Sequence, residues 1–299
     1  HMRPLRSALI GAAMLFSGFA TASDYPTQQI TMIVPLAPGG LADIVARAIQ
    51  TPLQVALGKP VIIENRPGGG GAVGAVAVAR SKPDGHTLLL ALSPTIALPE
   101  MDRLDGKKPS YELSELTPIA RLTAEPFVVL VRPDAPRKSF TEVVADAHKR
   151  PNAISFASSG TRGSIHFAVT ALLSKDVDFT LAAPSVAAQF VDGGQLRAIA
   201  RSGGDEPLKL YPKLTSFKEQ GVDASYTLWS ALYAPAATPA DVQEKLKTTL
   251  RAIYADPAFQ KAADGAGLDL KMLQGTDLKA FHDSEEVATN KLIHIIGKI

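Results

Sequence analysis

The stretch 30–44, ITMIVPLAPGGLADI, limits the fold of this chain more than any other. A β-type run over 30–34 breaks at Pro35, Pro38, Gly39 and Gly40, and a helical pattern begins with Asp43 in its first turn. A strand, a glycine-rich turn and a helix N-terminus in that order build an anion site in a layered α/β protein. The free N–H groups of the first helical turn point outward and the helix dipole adds partial positive charge. Pro and Gly punctuate ordinary turns as well, so the stretch alone leaves function open.

The same alternation continues down the chain. Strand-like runs at 61–64, 87–92, 127–132, 154–157, 196–200 and 230–234 are interleaved with helical patterns at 43–57, 68–80, 140–149, 164–173, 239–254, 257–266 and 277–296. This is the pattern of an α/β domain with helices covering sheets. Borders are expected near 121–125 and 223–226. A chain that leaves one α/β lobe at the first and returns at the second makes two lobes joined by two crossing segments, 24–122 with 226–299 and 123–225. The cleft between such lobes is the default place for a small ligand, walled by strand-end loops.

His1-Met2 reads as a cloning scar. Arg3 and Arg6, an apolar stretch over 8–19 and the small triplet Ala20-Thr21-Ala22 then read as a secretory signal peptide, cleaved after Ala22. The apolar stretch is shorter than the roughly 20 residues of a membrane span. Export to the periplasm is therefore expected. Removing the two signal arginines leaves 29 basic against 29 acidic side chains, which removes any whole-chain electrostatic argument for nucleic acid. With no cysteine there is neither disulfide nor thiolate chemistry, and the six histidines show no H-x-x-x-H spacing, so no metal site and no cofactor are expected.

Several long segments resemble the Bug/TctC family, the extracytoplasmic solute receptors of tripartite tricarboxylate transporters. They are YPTQQITMIVPLAPGGLADIVARAI, LGKPVIIENRPGGGGAVGAVAVARSKPDGHTLLLA, LTPIARL, ISFASSGTRGSIHFA, LRAIA, FKEQGV, the W-x-x-L-x-A-P-x-x-T-P pattern from Trp229 to Pro239, and LRAIYADPAFQKAADGAGL. The resemblance covers nearly all of the chain beyond the signal. It implies a periplasmic-binding-protein (Venus flytrap) fold, two α/β lobes closing on a small organic carboxylate, with membrane permease subunits as partners and the receptor itself a monomer.

Carried over residue by residue, the first-lobe loop is Pro38, Gly39, Gly40, Leu41, Ala42 and Asp43, holding one ligand carboxylate through backbone amides and water. Asp43 has the wrong charge for an anion binder. It is assigned to a water, hydroxyl or amide of the ligand, or else is an acid favoured at a helix start, and Asp43→Ala is expected to weaken binding with little loss of fold. Ser93, Pro94 and Thr95 follow a strand and either line the cleft or close a turn. In the second lobe, Ser158, Ser159, Gly160 and Ser164 with His166 match the loop for a second carboxylate. Ser164 also suits an N-cap, and His166 a packing role.

One departure from the family stands out. Asp178-Phe179-Thr180 runs directly into Leu181-Ala182-Ala183-Pro184, so roughly 25 to 30 residues, about one βα unit, are absent near 180–181, either by a true deletion or because a segment is closed up in the numbering. A true deletion would remove a strand, a helix and a cleft wall.

The glycine pattern Gly69-x-Gly71-x-x-Gly74 formally matches a dinucleotide fingerprint, but Asn65-Arg66-Pro67 intervenes after the strand and no acid follows about 20 residues on. A permissive loop with close helix packing is the better reading. An exported hydrolase is disfavoured because no G-x-S-x-G elbow is present and no catalytic residue stands out. A sensing subunit that reports ligand occupancy to a signalling protein remains the rival to a transport receptor.

Overall fold

The computed structural model describes residues 24–157, 165–203 and 206–296, so the expected signal peptide lies outside the described residues. In chain order the elements are β1 (Ile30–Val34), α1 (Leu41–Leu57), β2 (Val61–Asn65), α2 (Ala72–Ala79), β3 (Thr87–Leu92), α3 (Leu98–Leu104) and β4 (Leu116–Pro126). Next come β5 (Val128–Val131), α4 (Phe140–Lys149), β6 (Phe156–Ala157), α5 (Ile165–Leu173), β7 (Phe179–Ala182), α6 (Pro184–Asp192) and β8 (Arg197–Arg201). The chain ends with β9 (Thr227–Pro235), α7 (Ala240–Ala255), α8 (Pro257–Gly265), β10 (Leu270–Leu273) and α9 (Gly275–Ile296). The strands form two sheets, ordered β10-β4-β9-β3-β1-β2 and β6-β7-β5-β8.

Periodicity explains how the first sheet is covered. In β1, Ile30, Met32 and Val34 join one buried cluster while Ile33 joins the other, because successive strand side chains point to opposite faces. Helix α1 buries Leu41, Ala42, Val45, Ala46, Ile49 and Leu53 on the Ile30 side, a stripe at helical spacing, and stops at Gly58 in the left-handed region. Helix α2 covers the other face with Ala75 and Val78 against Ile33 and Leu89.

The two sheets share one pattern. In the first, β1 and β3 are parallel neighbours and β9 lies antiparallel between β3 and β4. In the second, β6 and β7 are parallel neighbours and β5 lies antiparallel between β7 and β8. Among the described residues, the first sheet adds two strands to this shared pattern, β2 and β10, that have no counterpart in the second. The route β1-α1-β2-α2-β3 becomes β6-α5-β7, with only 174–178 between α5 and β7. At the junction expected near 180–181, Thr180 lies inside a continuous strand, opposite Leu130 on one side and Ala157 on the other. Strand β6 is left as a sheet edge, where exposed Phe156 stacks on Phe179.

The chain passes from sheet to sheet at Phe127, the single residue between β4 and β5. The expected border at 121–125 falls inside β4, which ladders with β9 as far as Pro126 opposite Thr227. Ser202 ties the outgoing and returning segments together. Its Oγ accepts from Phe127 N–H at 2.8 Å and donates to Tyr226 O at 2.7 Å. Its backbone exchanges bonds with Phe127 O and Tyr226 N–H at 2.8 and 3.0 Å. The Phe127 and Tyr226 rings stack with centroids 5.5 Å apart.

The glycines at 69–74 have a packing explanation. Gly71 has φ 113, and a Cβ on Gly74 would lie 2.7 Å from Pro35 Cβ and 2.8 Å from Pro35 Cα, so only glycine lets α2 lie against the turn after β1. Gly74→Ala should cost about 1–3 kcal/mol by overpacking and lower the melting temperature. An unchanged thermal melt would show that α2 can shift freely from Pro35.

Candidate functional site

Sheet polarity brings four loops together. The C-terminal ends of β1, β3 and β4 lie at the same end of the first sheet, where the chain crosses to the second. The ends of β6 and β7 lie at the matching end of the second sheet, level with the start of β5. The loops after β1 and β3 thus face those after β6 and β7, as a clamp between two sheets requires.

The β1–α1 loop is held by Asp43, which is 4% exposed. Its Oδ2 accepts from Gly39 N–H at 3.1 Å and Arg47 Nε at 2.9 Å, and its Oδ1 accepts from Arg47 Nη2 and Asn65 Nδ2, both at 3.1 Å. Asn65 also donates to Leu36 O at 3.1 Å. Burial opposes ionisation of Asp43, but the bonds from Arg47, Gly39 and Asn65 outweigh it and hold the carboxyl below its ordinary value. Four donors occupy this carboxylate, so the loop depends on it for its shape. Leu41 and Ala42 turn their side chains into the core, leaving them only backbone to offer a ligand. Pro38 is exposed, Gly39 has φ 86, and Gly40 precedes α1 with extended backbone and no side-chain cap.

Ser93, Pro94 and Thr95 form a single 3-10 turn at the end of β3. Ser93 and Thr95 are buried, and Ser93 Oγ lies 3.1 Å from Tyr226 Oη, which connects this turn to the crossing. Thr95 O accepts from Tyr111 Oη. Pro94 is exposed. Ser158, Ser159, Gly160 and Ser164 lie outside the described residues, as does the His166 side chain. The described ends of their loop, Ala157 and Ile165, close β6 and open α5.

The loop after β7 is a site element that the sequence pattern does not announce. Ala183 is extended, Pro184 opens α6 and no side chain caps the helix, which is the strand, turn and helix order already seen at 30–44. Ala183 and Val186 pack into the buried cluster of the first sheet, so this helix start bridges the two sheets.

A cavity of about 840 Å³ lies elsewhere. It sits on the β10 side of the β4–β9 pair, between Glu125, Trp229, Lys271 and Leu292 and the segment at 206–210, and none of the expected loop residues lines it. Glu125 is fully buried there. Burial, with the nearby Asp269 charge adding to it, pushes its carboxyl up to about 8 despite the bond that Oε1 accepts from Asp269 N–H at 3.3 Å.

Comparison with known proteins gives this geometry a context. The family model described as tripartite tricarboxylate transporter family receptor matches residues 45–172 and 167–298, in two segments that meet in α5. A UPF0065 protein of Bordetella pertussis strain Tohama I is 28% identical over 319 residues, covering 98% of this chain and 97% of the relative. That alignment is longer than the chain's 299 residues, so the relative has residues with no counterpart here. The periplasmic binding protein BugD superposes with a TM-score of 0.81 at 26% identity, covering 91% of this chain and 99% of BugD. MatC from Rhodopseudomonas palustris, solved with bound malate, has the same fold, with a TM-score of 0.79 at 23% identity over 90% of this chain and all of MatC.

The burial of Asp43 changes the expected effect of its removal. Asp43→Ala strands the Gly39 and Asn65 donors and should cost about 1–3 kcal/mol in urea unfolding, where the sequence alone suggests little loss. Full stability would show that the loop holds itself. Glu125 gives a pH prediction. Between its ordinary 4.5 and about 8, the folded state keeps a proton that the unfolded state releases, so stability falls as pH rises through that window. Relative to wild type, Glu125→Gln should therefore gain stability at pH 8 and little at pH 4. Parallel stability profiles for the two proteins would contradict it.

Proposed function

The chain belongs to the tripartite tricarboxylate transporter receptor family, and from that premise we propose that it is an exported receptor that captures a small di- or tricarboxylate and presents it to a membrane permease. The observation that supports this most is the pair of uncapped helix starts, α1 after Gly40 and α6 after Ala183, at facing ends of two sheets. Backbone donors at such helix starts suit carboxylate oxygens, and oriented amides replace the fixed cations a dianion would otherwise need. The malate bound by MatC is of the same chemical class.

In this reading Gly39, Gly40, Leu41 and Ala42 hold one carboxylate through their backbone, while Asp43 positions them. Ser93 adds a hydroxyl, and Ser158, Ser159, Gly160, Ser164 and His166 bind from the second lobe. The lobes rotate about Phe127 and the Ser202 bonds, and a ligand that both lobes can hold only when closed favours the closed population. Capture consumes nothing, which separates the receptor from an exported hydrolase. The βα unit that the chain lacks belongs between α5 and β7, where the family match divides and the second sheet has no partner for β2.

Thermal unfolding against a panel of mono-, di- and tricarboxylates tests the reading. One acid at a hundredfold excess over its dissociation constant should add about 2.7 kcal/mol and raise the melting temperature by several degrees, with the acid recovered unchanged. No shift with any acid, or turnover of one, would remove the proposal.

A further inference from the structure

Two residues before the crossing, the buried Glu125 carboxyl touches elements of both sheets. It sits near the end of β4, and its Oε1 accepts from Asp269 N–H at 3.3 Å in the loop before β10, both on the first sheet. The Ser185 hydroxyl, in the first turn of the helix that follows β7 of the second sheet, hydrogen-bonds the same carboxyl. On either side of that serine, Ala183 and Val186 pack into the first sheet's cluster. The start of α6 is therefore docked on the first sheet by apolar packing and one acid.

A neutral carboxyl suits this place and an ionised one does not. Protonated Glu125 accepts from Asp269 N–H with one oxygen and donates to the Ser185 hydroxyl with the other, so both ends are used. An ionised carboxyl needs a cation, and those around it are committed: Lys209 to Asp264 at 2.6 Å, and Arg121 to Lys271 O and the Phe281 ring. Lys271 is shared between Glu206 at 3.4 Å and Asp269 at 3.9 Å. Glu285 from α9 accepts from Trp229 Nε1 at 2.8 Å and brings a further carboxyl to the same cavity. Burial, with the Asp269 charge, holds the proton on Glu125 up to about 8, and Asp269 is itself pushed up by burial. Once that proton leaves, the carboxylate regains water only by opening toward the cavity that Glu125 and Pro184 both line.

We propose that Glu125 and Ser185 form a proton-dependent clasp between the two sheets: with Glu125 uncharged the start of α6 stays docked on the first sheet, and loss of the Glu125 proton to solvent releases it. On the carboxylate reading above, which this inference extends, α6 carries one of the two helix starts that hold the ligand. The clasp then regulates capture, because a docked helix start is in place for the anion and a released one is not. The released state titrates at the ordinary 4.5 and the docked state at about 8, so the docked state binds more protons across that window and docking weakens as pH rises through it. Between pH 7 and pH 9 the loss is about tenfold.

The chain has no cysteine, so a single introduced thiol reports the docking. Val186 under α6 and Val45 under α1 are both buried in the first sheet's cluster. Val186→Cys and Val45→Cys are made in the full chain, each with and without Glu125→Gln, and their labelling by iodoacetamide is timed at pH 7 and pH 9, circular dichroism melts showing that each variant is folded. Glutamine offers one carbonyl oxygen and one N–H donor at every pH, as the protonated acid does, and comparison at equal pH cancels the reactivity of the thiol itself. At pH 9 the thiol of Val186→Cys should label at least about tenfold faster than that of Val45→Cys, because it needs only local release. Its rate relative to the Glu125→Gln background should rise about tenfold from pH 7 to pH 9. Ser185→Ala should speed it severalfold at pH 7. Equal labelling at the two sites, a background ratio that does not change with pH, or no effect of Ser185→Ala would each overturn the inference. Sodium succinate and sodium citrate separate it from the carboxylate reading, since an acid captured at α6 slows labelling of Val186→Cys. The full pH effect with no slowing by either acid would count against that reading and leave the clasp in place.

Discussion

The structure turns on one serine. Ser202 accepts from Phe127, donates to Tyr226, and exchanges backbone bonds with both, so the two segments that join the sheets are held as one short ribbon. A rotation of one sheet against the other is felt at this ribbon, since only Phe127 separates β4 from β5. The stacked rings of Phe127 and Tyr226 keep the ribbon apolar on one side, and Tyr226 Oη reaches Ser93 at the end of β3. A rotation of one sheet against the other must change torsions here or stretch these bonds. Hinge positions of this kind absorb motion in a few residues and leave packed cores intact.

The loop after β1 shows what a sequence leaves unsaid about a charge. Read from sequence, Asp43 is an acid at a helix start, available to a ligand. In the fold, it is an internal brace whose two oxygens take bonds from Gly39, Arg47 and Asn65. Asn65 cannot be found by reading along the chain. It comes from the end of β2, 22 residues away, and only the parallel register of β1 and β2 brings it beside Val34. Arg47 at i+4 is visible in principle, as the ordinary ion-pair spacing of a helix. The electrostatic outcome is a loop with its negative charge neutralised locally, so that the backbone N–H groups of Gly40 and the residues after it can face an anion.

What is legible in the sequence is local. The strand at 87–92 and the helices ending at 57, 149 and 173 stop where expected, because β-type runs and terminal glycines or polar residues mark them. Strand β4 is not legible as a whole, since Pro118 and the polar residues around it hide an eleven-residue strand that β9 defines from across the sheet. Helix α6 is masked by the departure from the family at 180–181, although Pro184 is a good first helical residue. Glu125 gives no signal, because nothing in a sequence says that a charged residue near a border is fully buried. The second-lobe loop residues rest on resemblance, and their side chains lie outside the described residues.

The smaller second sheet and the start of α6 have related consequences. A second sheet without a partner for β2 has a smaller face and an edge strand of two residues. The start of α6 makes up part of that deficit by packing Ala183 and Val186 into the first sheet's cluster, while Gly267 lets the loop before β10 approach Ser185 Cα closely enough that a Cβ there would sit at 3.2 Å. The same packing delivers Ser185 to Glu125.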